Sequence, residues 1–170
     1  VLGEDDPALD LPEDQQWQAN IYDKKRQYSK GLRNSIGEML ILLAVHGNEL
    51  FKSRLDFDCE EAVNKLVEEL FSPLNLRVLL AQSSDFSVYA EASPKVFLSI
   101  IENDLKTDKQ FLELMQPVST NIFSSPKYTD LLWALEKLAW DKSTVARVVK
   151  ILAQLSQKEI NDNYRNKPFS

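Results

Sequence analysis

After Gly47 the chain runs 123 residues to its end without another glycine. Tight β-hairpins rely on Asn-Gly, Asp-Gly or Gly-x turns, whose backbones need positive φ. None occurs over that length, so a sheet would have little to turn its strands with. The apolar spacing points to helices instead. Ala62, Val63, Leu66, Val67, Leu70 and Phe71 fall on one helical face, and Val96, Phe97, Ile100, Ile101 and Leu105 repeat the rhythm. Leu131, Leu132, Leu135, Leu138 and Ala139 form a third stripe, and Val145, Val148, Val149, Leu152 and Leu155 a fourth. The stretch 34–46 is apolar on most sides, which predicts a central helix packed by several neighbours.

Start signals divide these runs. Asp58 with Glu61 reads as a capping box, in which a side-chain oxygen accepts an orphan N–H of the first turn. Thr107 with Gln110 is a second start of this kind. Ser72-Pro73, Ser93-Pro94 and Ser125-Pro126 each precede an apolar run. Serine can cap there, and proline at the first helical position loses no hydrogen bond. Short connections imply antiparallel neighbours. The expected fold is all-α, an irregular antiparallel array of about seven helices, built as an α-α superhelix or as a compact multihelical domain. Ser93-Pro94-Lys95 and Ser125-Pro126-Lys127 lie 32 residues apart, which suits a helix-pair repeat, but the 21 residues from Ser72 to Ser93 break the period.

At 170 residues and 44% hydrophobic, the chain suits one domain with a substantial core. The net charge of −6 equals the six carboxylates of Glu4, Asp5, Asp6, Asp10, Glu13 and Asp14, in a stretch with no Lys or Arg. Residues 1–14 therefore read as a solvated, flexible acidic arm, and 15–170 as a single charge-balanced domain. The alternative is an arm that competes for a basic site. A chain opening on Val1 and stopping at Ser170 after Asn-Lys-Pro-Phe reads as a fragment of a longer protein.

Several chemistries lack their residues. There is no GxxxxGK[ST] and no GxGxxG, so P-loop or dinucleotide phosphate binding has no cradle. Cys59 is the only cysteine, which fits a reducing, cytoplasmic setting. His46 is the only histidine and precedes Gly47, so it reads as a last-turn residue that interacts favourably with the helix dipole, with Gly47 as the C-cap glycine. The pairs Glu60/Glu61, Glu68/Glu69 and Glu102/Asp104 read as solvent-facing acids. The longest apolar run, Met39 to Val45, is far short of the roughly 20 residues of a membrane span. No cofactor, metal or membrane partner is expected, and no enzyme activity.

Two features could contact a partner. Lys24, Lys25, Arg26, Lys30 and Arg33 interleave with Tyr22 and Tyr28, a pattern that suits a solvated face, an anionic or protein partner, or nucleic acid. Trp133 and Trp140 are seven apart and share a helical face. With Leu132, Leu135 and Ala139 alongside, that face reads as the core side of a middle helix; the alternative is an exposed pair anchoring an interface.

The segment LLWALEKLAWDKSTVARVVKILAQLS, followed by Asn163-Tyr164-Arg165-Asn166-Lys167-Pro168, resembles a helical-repeat (HEAT/armadillo-like) scaffold passage of large multidomain bacterial proteins. Some of these are similar to defence-type signal-transducing NTPases. The resemblance covers residues 125–170 and implies a helical scaffold in a bacterial cytoplasm; it carries over no catalytic residue. The combined expectation is a non-enzymatic helical interaction or scaffold module of a larger bacterial protein, contacting a protein partner or other domains of its own chain. The alternatives are a nucleic-acid- or phosphate-binding helical domain using residues 24–33, and a helical enzyme without a readable motif.

Overall fold

Side chains that accept orphan N–H groups set where several of the helices begin. In the computed structural model, which describes residues 1–116 and 126–157, Ser29 Oγ accepts from Leu32 N at 3.2 Å and opens α1 (Lys30–Leu55). Asp58 accepts from Glu61 N at 3.0 Å, as the capping-box pattern predicts, and opens α2 (Cys59–Leu70). Asn75 accepts from Val78 N at 2.9 Å and opens α3 (Leu76–Gln82). Then follow α4 (Phe86–Ala92), α5 (Pro94–Asp104), α6 (Gln110–Leu114), α7 (Tyr128–Ala139) and α8 (Val145–Leu155). Short 3₁₀ turns occupy Pro7–Asp10, Glu13–Gln18 and Ser83–Asp85. The fold is all-α, with no strand among the described residues.

Some starts differ from expectation. Ser72-Pro73 lies ahead of α3, and Asn75 supplies the cap. Pro94 does occupy the first turn of α5, but Ser93 Oγ bonds to Asn64 Oδ1 of α2 rather than to an N–H. Thr107 Oγ1 donates back to Asn103 O. The first N–H groups of α6, on Gln110 and Phe111, go instead to the buried Asp104 carboxylate, at 3.0 and 2.8 Å. One acid at the end of α5 thereby satisfies two donors and fixes α6 beside it. Ser125 lies outside the described residues.

The core is organised by aromatic rings. Phe71, just after α2, meets Tyr89 of α4 edge-on at 5.6 Å and Phe97 of α5 at 6.1 Å between centroids. Phe86 stands 5.9 Å from Phe97 and 6.2 Å from Phe111 of α6. Each fully buried ring or leucine stabilises the fold by about 1.5–3 kcal/mol, and tilted or edge-on ring pairs add to this. The short α4 lies at the middle, packed by α1, α2, α5 and α7, while α8 closes over α7 and α5. Arg147 of α8 grips Glu102 of α5 with two bonds of 2.9 Å. The helices gather around this one core cluster, the compact form of the two arrangements expected.

The helix read as central is at the edge. α1 packs against α2 and α4 through the face carrying Arg33, Gly37, Leu40, Ala44 and Gly47, with Ile36, Ile41 and Leu43 partly buried at its flanks. A Cβ added at Gly47 would meet Cys59 Cβ at 2.5 Å and Sγ at 2.8 Å. One added at Gly37 would meet Val88 Cγ1 at 3.1 Å. Gly47 is therefore a close-contact residue inside the helix and not its C-cap. α1 continues eight residues further and ends at Asp56, in the left-handed conformation at φ 48°. The expectation failed because glycine was read as punctuation, whereas here it lets two helix surfaces touch.

Gly47→Ala should destabilise the protein by a net of about 1–2 kcal/mol, because overpacking outweighs the gain in helix propensity. Gly37→Ala should stay within about 1 kcal/mol of the parent. Urea titrations followed by circular dichroism measure both.

Candidate interaction surfaces

The acidic arm is not left in solvent. Leu2 is buried in the core cluster, and Asp5, Asp6 and Asp10 meet cations of the folded body. Arg77 of α3 clasps Asp5 with bonds of 2.7 and 2.9 Å, and the same guanidinium reaches Asp10 at 2.8 Å. Asp10 also pairs with Lys24 at 3.1 Å, and Asp6 with Arg26 at 3.3 Å. The Glu4 carboxylate accepts from the main-chain N–H of Gln27 and of Tyr28, and its carbonyl accepts from Arg26 Nη1 at 2.7 Å. Arg77 holds the Asp5 and Asp10 carboxyls below the ordinary carboxylate range; Lys24 adds to this at Asp10. The physical reason for docking is a network: isolated surface pairs contribute little, but here several share partners beside a buried leucine.

The basic segment is correspondingly dispersed. Arg26 is mostly buried between the arm and the Ala81 carbonyl at the end of α3. Lys25 pairs with Asp23 at 3.4 Å, both exposed. Lys30 is exposed at the first position of α1. Arg33 is buried and ion-paired with Asp85 in the turn between α3 and α4, with its Nε left without a hydrogen-bond partner. Lys24, Arg26 and Arg33 thus face acidic or carbonyl oxygens of the protein itself, and the five cations do not make one open patch for phosphates. Beside the Arg33–Asp85 pair, Tyr89 Oη donates to Gln82 Oε1 at 2.8 Å. Burial and the Asp85 charge push the Tyr89 hydroxyl above its ordinary range. Asp130 of α7 is also pushed up, by burial.

The apolar side chains turned outward form a second surface. On α1, Met39, Leu42, Val45 and Leu50 are 55–59% exposed. Met39, Leu42, Leu43, Leu50 and Phe51 line a shallow groove of about 430 Å³ with His46 among them. His46 stands 3.8 Å from Glu49, and both are mostly exposed. It is mid-helix, surrounded chiefly by apolar groups. Trp133 and Trp140 contradict the core reading, being 60% and 84% exposed. Leu131, Ala134, Leu135 and Leu138 bury the opposite side of α7, so two residues of offset turn Trp133 away from the core. Trp140 borders a groove of about 750 Å³ shared with Val45, Asn64, Glu91, Lys95 and Lys137. Trp133 does not line it.

Three contributors were not singled out in the sequence: Arg77, Asp85 and the outer face of α1. Only the last left a readable trace. Gly37, Ala44 and Gly47 recur on one face at helical spacing and mark it as the contact side, which puts Met39, Leu42 and Val45 opposite or to one flank.

No group of three or more potential metal ligands gathers among the described residues, and no helix among them is long and apolar enough to cross a membrane. The fold and surfaces define an all-α domain with one charge-latched segment and one exposed apolar helix face. Comparison with models of protein families, with curated proteins and with solved structures finds no match to this chain.

Asp85→Ala should cost about 3–5 kcal/mol, because it leaves Arg33 buried without its counter-charge, and Arg33→Met with Asp85→Leu should recover most of that loss. Thermal and chemical unfolding of the three proteins decides this. The arm should also respond to acid. The folded pKa values of Asp5 and Asp10 lie below their unfolded value, so their contribution is fully present above the ordinary carboxylate range and is lost as pH falls through the folded values. Protection from amide exchange across residues 4–11, relative to the intrinsic rate at each pH, should fall below about pH 4, ahead of that in α4 and α5.

Proposed function

We propose that this chain is a non-enzymatic helical interaction module that docks through the outer face of α1 onto a protein partner or another part of a longer parent protein. One observation carries the reading: an edge helix of 26 residues, packed on one side, turns Met39, Leu42, Val45 and Leu50 into solvent. Contiguous apolar surface of this kind characterises contact sites. Trp140 extends it across the neighbouring groove, and tryptophan is enriched where binding energy concentrates. The expected occupant is an amphipathic helix laid along α1, in the manner of helix-in-groove recognition. The apolar surround of His46 supports a binding role over a catalytic one. The resemblance of the C-terminal segment to bacterial helical scaffolds supports the same reading, and part of its basis, Asn163 to Pro168, lies outside the described residues.

A photo-crosslinking amino acid at position 42 of the full-length parent, expressed in its own cells, should give a discrete adduct that disappears when Val45→Asp is added. Circular dichroism of the Val45→Asp protein should be unchanged, since the side chain is exposed. Equal crosslinking from position 42 and from exposed Lys106 on the α5–α6 connection would remove the reading.

A further inference from the structure

We propose that the surface formed by Lys24, Arg26 and Arg77 is a receptor site for an extended acidic peptide, and that residues 2–10 are the copy of such a ligand held in cis. This goes beyond the docking role given to α1 and uses a different face.

The arm is bound as a peptide ligand would be bound. It has one apolar anchor, Leu2, buried to 7% exposure. It has main-chain recognition: the Glu4 carbonyl accepts from Arg26 Nη1 at 2.7 Å and from Gln82 Nε2 at 3.4 Å. It has charge recognition at three positions, with Asp5 on Arg77, Asp6 on Arg26, and Asp10 on both Arg77 and Lys24. The planar guanidinium of Arg77 takes Asp5 through two of its nitrogens, the fork geometry suited to carboxylates. The ligand pattern is an apolar residue, one spacer, three consecutive acids and a fourth acid four residues on.

The site and its cis occupant are separable. The nearest body cation to the arm in sequence, Lys24, is fourteen residues from Asp10, and Arg77 is 72 residues from Asp5. The Asp5–Arg77 pair, the Asp10 contacts and Lys24 are about half exposed, so they exchange with solvent and are weakened by salt. Arg26 is different: its bond to Ala81 O ties it to the body and keeps it in place when the arm leaves. An acidic segment arriving in trans therefore meets a preformed site and competes with a tethered copy at millimolar effective concentration.

The probe is a fluorescein-labelled synthetic peptide with the sequence of residues 1–14, titrated against the full chain and read by anisotropy. In one variant the arm is neutralised by Glu4→Gln, Asp5→Asn, Asp6→Asn and Asp10→Asn. This variant should bind the peptide at least tenfold more tightly than the parent does. Adding Arg77→Gln should weaken that binding tenfold or more, as should raising salt from about 50 to 500 mM. A peptide carrying Leu2→Asp should bind weakly, while Leu42→Asp in the body should change nothing, which separates this site from α1. Equal affinity for the parent and the neutralised chain overturns the proposal, as does indifference to Arg77→Gln. A single-stranded oligonucleotide that binds the neutralised chain while the peptide does not also overturns it. Should the neutralised chain fail to fold, amide exchange in the unaltered protein decides: millimolar peptide must speed exchange at residues 5–11, and unchanged exchange overturns the proposal.

Discussion

The near-contact of α1 with its neighbours governs much of the rest. With no side chain at Gly47, Cys59 of α2 packs directly on the helix, and Gly37 accepts Val88 of α4 in the same way. Two such points ten residues apart fix which side of α1 faces inward. Helical periodicity then decides the other positions. Arg33 shares the inward face, so it is buried and requires Asp85. Met39, Leu42 and Val45 fall off that face and stay in water. The buried ion pair and the exposed apolar surface are thus two consequences of one packing choice. Hydrophobicity alone would have put more of the leucines inside; the close contact that glycine permits outweighs it, since larger side chains at positions 37 and 47 would hold α1 away from α4 and α2.

The class of fold was legible because it depends on backbone constraints that act locally. The absence of turn-forming glycines after Gly47, and the Asp58–Glu61 pattern, need no knowledge of the remote chain. The faces of α1 were harder because that helix is apolar nearly all round, so periodicity gives little contrast. What remained was the size pattern, with Gly37, Ala44 and Gly47 on one side. Trp133 was misjudged by bulk rather than by angle: Leu131, Leu135 and Leu138 already define the inner stripe of α7, and Trp133 lies off it. Arg77 and Asp85 left no sequence signal. Their partners, Asp5 and Arg33, lie 72 and 52 residues away, and a single charge in an ordinary run does not announce which loop it will meet.

The charge distribution has a similar logic. A sequence with six acids in its first fourteen residues and five cations between 24 and 33 invites a reading of two separate solvated regions. In the fold they neutralise each other in part, with Arg77 added from α3. Electrostatics at such distances is weak in water and screened by salt, so charge alone does not dock a segment. Leu2 and the Glu4 main-chain bonds supply the unscreened part. The charges then select where, among the apolar clefts of the surface, that leucine settles.

The two surfaces accordingly differ in kind. The α1 face offers area without direction: Met39, Leu42, Val45 and Leu50 gain from leaving water against any complementary shape, and specificity must come from fit. The arm site offers direction with little area, since Arg77 and Arg26 fix the positions of carboxylates and of one carbonyl. Directional bonds of exposed groups are individually weak and easily exchanged, whereas buried apolar area is slow to give up once covered. If both surfaces bind as proposed, a single domain would hold one partner durably while responding to another through charge. The physical separation between them follows from α1 itself: its first turn lies beside the arm-binding residues, and the apolar groove that starts at Met39 lies about two turns further along.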